Sequence, residues 1–102
     1  MEKDLKISAL LDVYGSFLGD KQRRLTEYYY NDDLSLAEIS ENEGITRQGV
    51  RDAIKRAEIQ LKTLEKDCGY CEKFARLKAL GMKAKQNELT DYNELLDLIE
   101  NL

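Results

Sequence analysis

Apolar residues return along this chain at intervals of three and four, the spacing that gathers side chains on one face of an α-helix. Ile7, Leu11, Tyr14 and Leu18 form the first such stripe, with Leu10, Val13 and Phe17 beside it, and predict a helix over about 4–18. Gly19-Asp20 interrupts the pattern, and Asp20 is placed to cap a second helix over about 21–30 that presents Leu25, Tyr28 and Tyr29. Asn31-Asp32-Asp33 ends it. A short helix over about 36–43 and a longer one over about 47–67 follow, the latter closed by Gly69. A lysine-rich segment over about 71–85 begins as a short helix through Phe74, Leu77 and Leu80, with Gly81 interrupting it. Tyr92, Leu95, Leu96, Ile99 and Leu102 mark a last helix over about 90–102. Nowhere do apolar and polar residues alternate as in a strand, and proline is absent, so the expected fold is all-α, a five-helix bundle.

The stretch from Ser35 to Ala57 is the most specific in the chain. Ser35 followed three residues later by Glu38 is a capping-box signature for the start of a helix. Gly44 supplies the residue that accepts a left-handed backbone where that helix stops, and Thr46 offers a hydroxyl to cap the next. The second helix then carries Val50, Ala53, Ile54, Ala57, Leu61 and Leu64 on its apolar face. Two short helical segments joined by a tight glycine turn are a helix-turn-helix, the arrangement that sets a second helix into a major groove. At about 100 degrees per residue, Gln48, Arg51, Asp52 and Lys55 lie opposite the apolar face, with Arg47 at the exposed N-terminal edge. Residues 46–66 carry six Lys or Arg against three acids, whereas residues 34–45 carry three Glu and no base. Thr46, Arg47, Gln48, Arg51 and Lys55 are therefore the candidate nucleic-acid contacts. The competing reading of the same pattern is an ordinary solvated helix in a three-helix bundle, or a protein-docking module.

Leu-Ala-Glu-Ile-Ser followed by Ile-Thr-Arg-Gln-Gly-Val-Arg-Asp-Ala-Ile-Lys-Arg-Ala resembles the helix-turn-helix of bacterial sigma factor region 4, and Leu18 to Tyr30 resembles the helix preceding it there. The small size, the early helix, the tyrosine-rich second helix and the Arg47-Gln48…Asp52…Ile54-Lys55-Arg56 pattern resemble more closely the YlxM (p13-like) family of small bacterial helix-turn-helix proteins. That resemblance covers about residues 5–67. It implies an accessory or regulatory protein of the signal recognition particle pathway, with the particle's RNA and its GTPase as partners. The sequence departs from the sigma pattern at Gly49, which removes a base-reading side chain from the recognition helix and costs about 1 kcal/mol relative to Ala inside a helix. Asp52 on the exposed face repels phosphate. A sequence-specific DNA regulator reading bases through Arg47, Gln48 and Arg51, and a protein-only adaptor using the motif as scaffold, are the alternatives.

Charge alters this picture only in its distribution. The net charge of -4 is unlike a generic DNA binder, yet residues 46–85 carry eleven bases against five acids and residues 86–102 carry five acids and no base. Screening over about 8–10 Å lets a local basic surface act despite the total. At 102 residues the chain suffices for one core burying roughly 65% of its unfolded surface, arranged as a helix-turn-helix domain over 1–67 and a C-terminal extension over 68–102 packed on it or on a partner subunit. With no long apolar run and no signal-peptide pattern, the expectation is a soluble cytoplasmic protein without membrane contact.

Catalytic chemistry has little to work with. Histidine is absent, which removes histidine-based nucleophile systems and the commonest metal ligand, and no phosphate-binding glycine loop occurs, so neither enzymatic activity nor a cofactor is expected. Cys68-Gly69-Tyr70-Cys71 has dithiol or half-zinc-site spacing, but a redox pair needs a strand-to-helix context and zinc needs further ligands, which only a second chain's pair could add. Two reduced cysteines packing at a helix end is the simpler reading. Tyr28-Tyr29-Tyr30 offers rings for base stacking, although consecutive helical residues point three ways, and core packing of Tyr28 and Tyr29 is expected instead. Lys73, Arg76, Lys78, Lys83 and Lys85 either extend a phosphate-binding surface or solubilise a linker. The last helix is apolar over too wide a front for one narrow groove, and a homodimer through it is expected.

Overall fold

The fold begins from six segments that each bury one helical face. The computed structural model describes residues 1–89 and 91–102, and among them the chain is wholly helical. The elements are α1 (Lys6–Tyr14), a 3₁₀ turn (Gly15–Phe17), α2 (Asp20–Tyr30), α3 (Leu36–Glu43), α4 (Arg47–Cys68), α5 (Tyr70–Lys85) and α6 (Asn93–Glu100). The all-α expectation holds, but the described residues form six α-helices rather than five. The difference lies in residues 70–85, which form one continuous helix straight through Gly81 instead of a short helix broken there. An isolated glycine lowers helix stability by only about 1 kcal/mol, and here the flanking turns outweigh it. The chain divides into two compact units, Met1–Asp67 and Cys68–Leu102.

In the first unit α1 is shorter than its stripe suggests. After Tyr14 the backbone tightens into the 3₁₀ turn, which carries Phe17 out to 65% exposure while Leu18 returns to the interior. Ile7, Leu10, Leu11 and Tyr14 are buried, as are Ala57 and Leu61 on α4. Polar contacts tie α1 to the same stretch of α4: the Tyr14 hydroxyl donates to Glu65 Oε1 at 2.6 Å, and Lys62 Nζ lies 3.0 Å from Asp4 Oδ2. Asp20 does not cap α2. Gly19 occupies the cap position without a side-chain bond, and Asp20 is the first helical residue, where its charge still suits the positive end of the helix.

A cluster of Leu25, Tyr29, Ile39, Val50, Ala53 and Ile54 binds α2, α3 and α4 together. Ile39, Val50 and Ile54 are fully sequestered from solvent. Tyr28 and Tyr30 pack against this cluster too, so all three consecutive tyrosines serve the core rather than an open stacking platform. The Tyr29 and Tyr30 rings meet edge to face with centroids 5.2 Å apart. The chain's first residues close over them: the Tyr29 hydroxyl donates to the Met1 carbonyl at 3.1 Å, and the Lys3 ammonium sits 4.6 Å from the Tyr29 ring centroid.

The second unit is a pair of helices, α5 and α6, in contact with each other. Gly69 lies in the left-handed region between α4 and α5 and ends the long helix there. Lys73 Nζ donates to the Asn101 carbonyl at 3.0 Å, and Arg76 pairs with Glu94 at 3.3 Å. Leu80 and Leu98 are the buried apolar side chains among the described residues of this unit. Cys68 and Cys71 are half-buried and not joined in a disulfide. Among the described residues no group of three or more Cys, Asp or Glu is gathered to hold a metal ion, and no helix is long and apolar enough to cross a membrane.

Candidate functional site

The turn between α3 and α4 is built from local sequence. Ser35 Oγ accepts from the Glu38 N–H at 3.1 Å while Glu38 Oε1 accepts from the Ser35 N–H at 3.1 Å, a complete reciprocal capping box. Two otherwise orphaned donors at the start of α3 are thereby satisfied. At its other end Gly44 takes φ 66°, ψ 31°, and its N–H reaches back to the Ser40 carbonyl at 3.0 Å. A residue with a Cβ is strained at that φ. The Ser40 hydroxyl donates to the Ile45 carbonyl, which pins the turn before α4 begins.

Thr46 then caps α4, its Oγ1 accepting from the Gly49 N–H at 3.0 Å. This contact explains Gly49 better than the loss of a base-reading side chain does. A Cβ built on Gly49 would lie 3.2 Å from Thr46 Oγ1, close enough to press on the cap. The glycine sits in the first turn beneath the capping hydroxyl, not in the free interior of the helix. Thr46, although exposed, has a structural task that sets the entry angle of α4.

α3 is held against α2 by a charge-assisted fork. Arg24 Nε donates to Glu43 Oε1 at 2.7 Å and Nη2 to Oε2 at 3.2 Å. This bond, more than the coulombic attraction, holds the Glu43 carboxyl below its usual range and raises the Arg24 guanidinium. On the far side, burial pushes the Tyr30 phenol up to about 12.

The bases of this unit divide into paired and unpaired ones, and among the described residues Lys6, Lys21, Arg56 and Lys66 are in no ion pair. Lys3, Arg23, Arg24 and Lys62 each pair with a carboxylate. Among the described residues, Arg47, Arg51 and Lys55 pair with none, and all three are exposed. Their spacing of four places them along one shoulder of the helix, turned about 40 degrees apart. The outermost line runs through Gln48, Asp52, Lys55 and Ile59, the last 67% exposed. Gln48 is not loose: its Nε2 donates to Asp52 Oδ1 at 2.8 Å. The acid that the sequence places on this face therefore also orders its neighbouring amide.

The opposite shoulder escapes a reading by charge alone. Arg56 and Gln60, with Gly49 and Ala53, line a cleft of about 770 Å³ whose other wall is the start of α2, Gly19 to Gln22. The small residues at 49 and 53 keep this cleft open. Arg56 belongs to α4's basic run in the sequence, but only the position of α2 reveals that it borders a concavity.

A family model described as a helix-turn-helix protein, YlxM / p13 like, matches residues 1–101. A UPF0122 protein of Shouchella clausii is 37% identical over 107 residues, spanning 100% of this chain and 98% of its own length. A UPF0122 protein of a Geobacillus species is 38% identical over 105 residues, spanning 100% of this chain and 96% of its own. A third, from Caldanaerobacter subterraneus subsp. tengcongensis, is 49% identical over 78 residues, 76% of this chain and 67% of its own. The capped α3, the left-handed glycine turn and the capped α4 supply the motif that the family's description names, and the chain belongs to the YlxM / p13-like family of helix-turn-helix proteins.

Proposed function

We propose that this protein is an accessory or regulatory factor of the bacterial signal recognition particle pathway that binds the particle's RNA, its GTPase, or both. The observation that carries the nucleic-acid half of this reading is the basic shoulder of α4, where Arg47, Arg51 and Lys55 recur at helical spacing on one ordered helix, all exposed and, among the described residues, in no ion pair. Leaving three long cations without partners on one ordered helix suits contact with a phosphate backbone. The assignment to the particle rests on the family resemblance.

RNA fits this surface better than promoter DNA. Base reading in a major groove needs long donors at the centre of the recognition helix. Gly49 has no side chain, and Gln48 is engaged by Asp52. Arg47 and Arg51 remain as long donors, and with Lys55 along one shoulder they suit backbone contact, which shape-based RNA recognition uses heavily. A likeness to sigma region 4 is then one of scaffold rather than of promoter reading.

The test is a set of titrations of the intact protein with signal recognition particle RNA, with the isolated GTPase and with mixed-sequence duplex DNA, each at two salt concentrations. Saturable binding to the RNA or the GTPase, tighter than to the duplex, is the expected result. A protein that ignores both and selects one DNA sequence is a transcriptional regulator. Binding to the GTPase alone, unchanged by salt, keeps the pathway assignment but replaces the nucleic-acid half of the reading with a protein adaptor.

A further inference from the structure

The hairpin of α5 and α6 is underprovided with core. Its unit comprises residues 68–102, and Leu80 and Leu98 are its buried apolar side chains among the described residues. Units below about 40 residues need disulfides, metals or association to hold together. Cys68 and Cys71 form no disulfide, and among the described residues no metal-binding group is gathered. Meanwhile Phe74, Met82, Tyr92, Leu96, Ile99 and Leu102 are each between 39% and 59% exposed. On α6 the apolar positions sweep an arc of about 160 degrees, of which Leu98 marks one edge and Leu96 the other.

Charge on the same hairpin is split by helix. α5 carries Lys73, Arg76, Lys78, Lys83 and Lys85 against Glu72, whereas residues 86–102 carry five acids and no base. Lys73 and Arg76 are already turned toward α6 of the same chain, through Asn101 and Glu94. Lys78 and Lys85 are not. By helical angle they lie beside exposed Phe74, on its side turned away from Leu80, with Met82 beyond them. Glu100 correspondingly borders exposed Leu96. The uncovered apolar strip thus has a basic margin on α5 and an acidic margin on α6.

We infer that this strip is a self-association surface whose occupant is the same hairpin of a second copy, related by a two-fold axis that lays α5 of each chain along α6 of the other. A two-fold contact must be self-complementary, and a surface with one basic and one acidic margin satisfies that when turned upon itself. The apolar area suffices. Six half-exposed side chains offer roughly 500 Å² per copy, comparable with the apolar share of a standard interface of about 800 Å² per partner. Closing the two hairpins makes a four-helix bundle and gives Leu96 and Ile99 the cover they lack. This inference does not depend on what α4 binds.

Sedimentation and light scattering of the intact chain, from low to high micromolar concentration, test it. The expected mass is twice the 11.8 kDa of one chain. Leu96→Glu with Ile99→Glu should raise the dissociation constant more than tenfold, with the far-UV spectrum of α1 to α4 retained. Lys78→Glu with Lys85→Glu, and separately Glu100→Lys, should each weaken assembly, and mixing the two variants should restore it as a heterodimer. An intact chain that stays monomeric throughout overturns the inference, whether the strip is then covered by its own first unit or by another protein. A dimer untouched by the apolar pair places the contact elsewhere and overturns it equally. Charge variants that assemble like the parent overturn the α5-on-α6 arrangement. If the apolar variant fails to fold, the parent's own concentration dependence and the charge-variant mixing still decide.

Discussion

Replacing Arg47, Arg51 and Lys55 together with Ala separates the binding role of α4 from its structural role. All three are exposed and, among the described residues, none forms an ion pair, so folding loses no ion pair when they go. Ala is at least as good a helix former as Arg or Lys, and stability should therefore change by no more than about 0.5 kcal/mol. Binding should respond differently. Each phosphate contact contributes about 0.9 to the slope of log affinity against log salt on duplex DNA and about 0.7 on a single strand. Three lost contacts flatten the slope by about 2.7 or 2.1 respectively. Between 50 and 200 mM salt the parent's affinity should then fall roughly 40-fold further than the variant's on duplex, or about 20-fold further on single-stranded RNA. Fluorescence anisotropy across that salt range, with thermal melts run in parallel, measures both quantities. Asp52→Asn is the internal control, since it removes a repulsive charge while an amide oxygen remains to accept from Gln48. It should tighten binding without steepening stability loss. Identical salt slopes for parent and triple variant on both nucleic acids would show that this shoulder is solvated surface, and the protein-adaptor reading would lead.

Val50→Asp or Ile39→Asp places an unpaired charge among fully buried side chains and should consume most of a stability of about 5–15 kcal/mol, seen as a collapse of the helical melt; a parent-like melting temperature would contradict the three-helix cluster. Ser35→Ala removes one half of the capping box and should cost about 1 kcal/mol, read by chemical denaturation, whereas Glu38→Gln should cost less because the amide oxygen can still accept. Tyr30 has a pH signature. Its folded pKa of about 12 lies above the ordinary 10.0, so the folded state holds the phenol proton longer than the unfolded chain and stability falls as pH rises from about 10 toward 12. Tyr30→Phe should remove that part of the alkaline loss, and a parent and variant with parallel stability curves across this window would count against a buried phenol. At the acid end the depressed Glu43 carboxyl works in the opposite sense. Its contribution is present above the unfolded pKa, is lost as pH falls through the lower folded value, and should vanish from the acid limb in Glu43→Gln.

Local chemistry made α3 and the turn legible in the sequence. Ser35 and Glu38 cap each other across three residues, Gly44 alone accepts the left-handed turn without strain, and Thr46 caps the next helix, all without help from distant parts of the chain. The buried stripe of Val50, Ala53, Ile54, Ala57 and Leu61 follows from helical period in the same way. Other features depended on what packs against what. Phe17 is exposed because a 3₁₀ turn rotates the end of α1, which periodicity cannot foresee, while Leu18 stays buried as its place on the stripe predicts. Gly81 leaves α5 intact because its neighbours' helical contacts exceed the cost of one glycine. Tyr29 and Tyr30 are covered because Met1 to Asp4 close over them, contacts between residues some 26–28 positions apart. Arg24 is spent on Glu43 while Arg47, Arg51 and Lys55 stay unpaired, a distinction between identical charges that composition cannot make. Sequence by itself determined α3, its glycine turn, the cap of α4 and the faces that α3 and α4 bury, because those depend on residues within a turn or two. Only the tertiary structure decided which cations are engaged, what Gly49 is for and where the α5–α6 hairpin stands uncovered, because each of these is set by a neighbour distant in the chain.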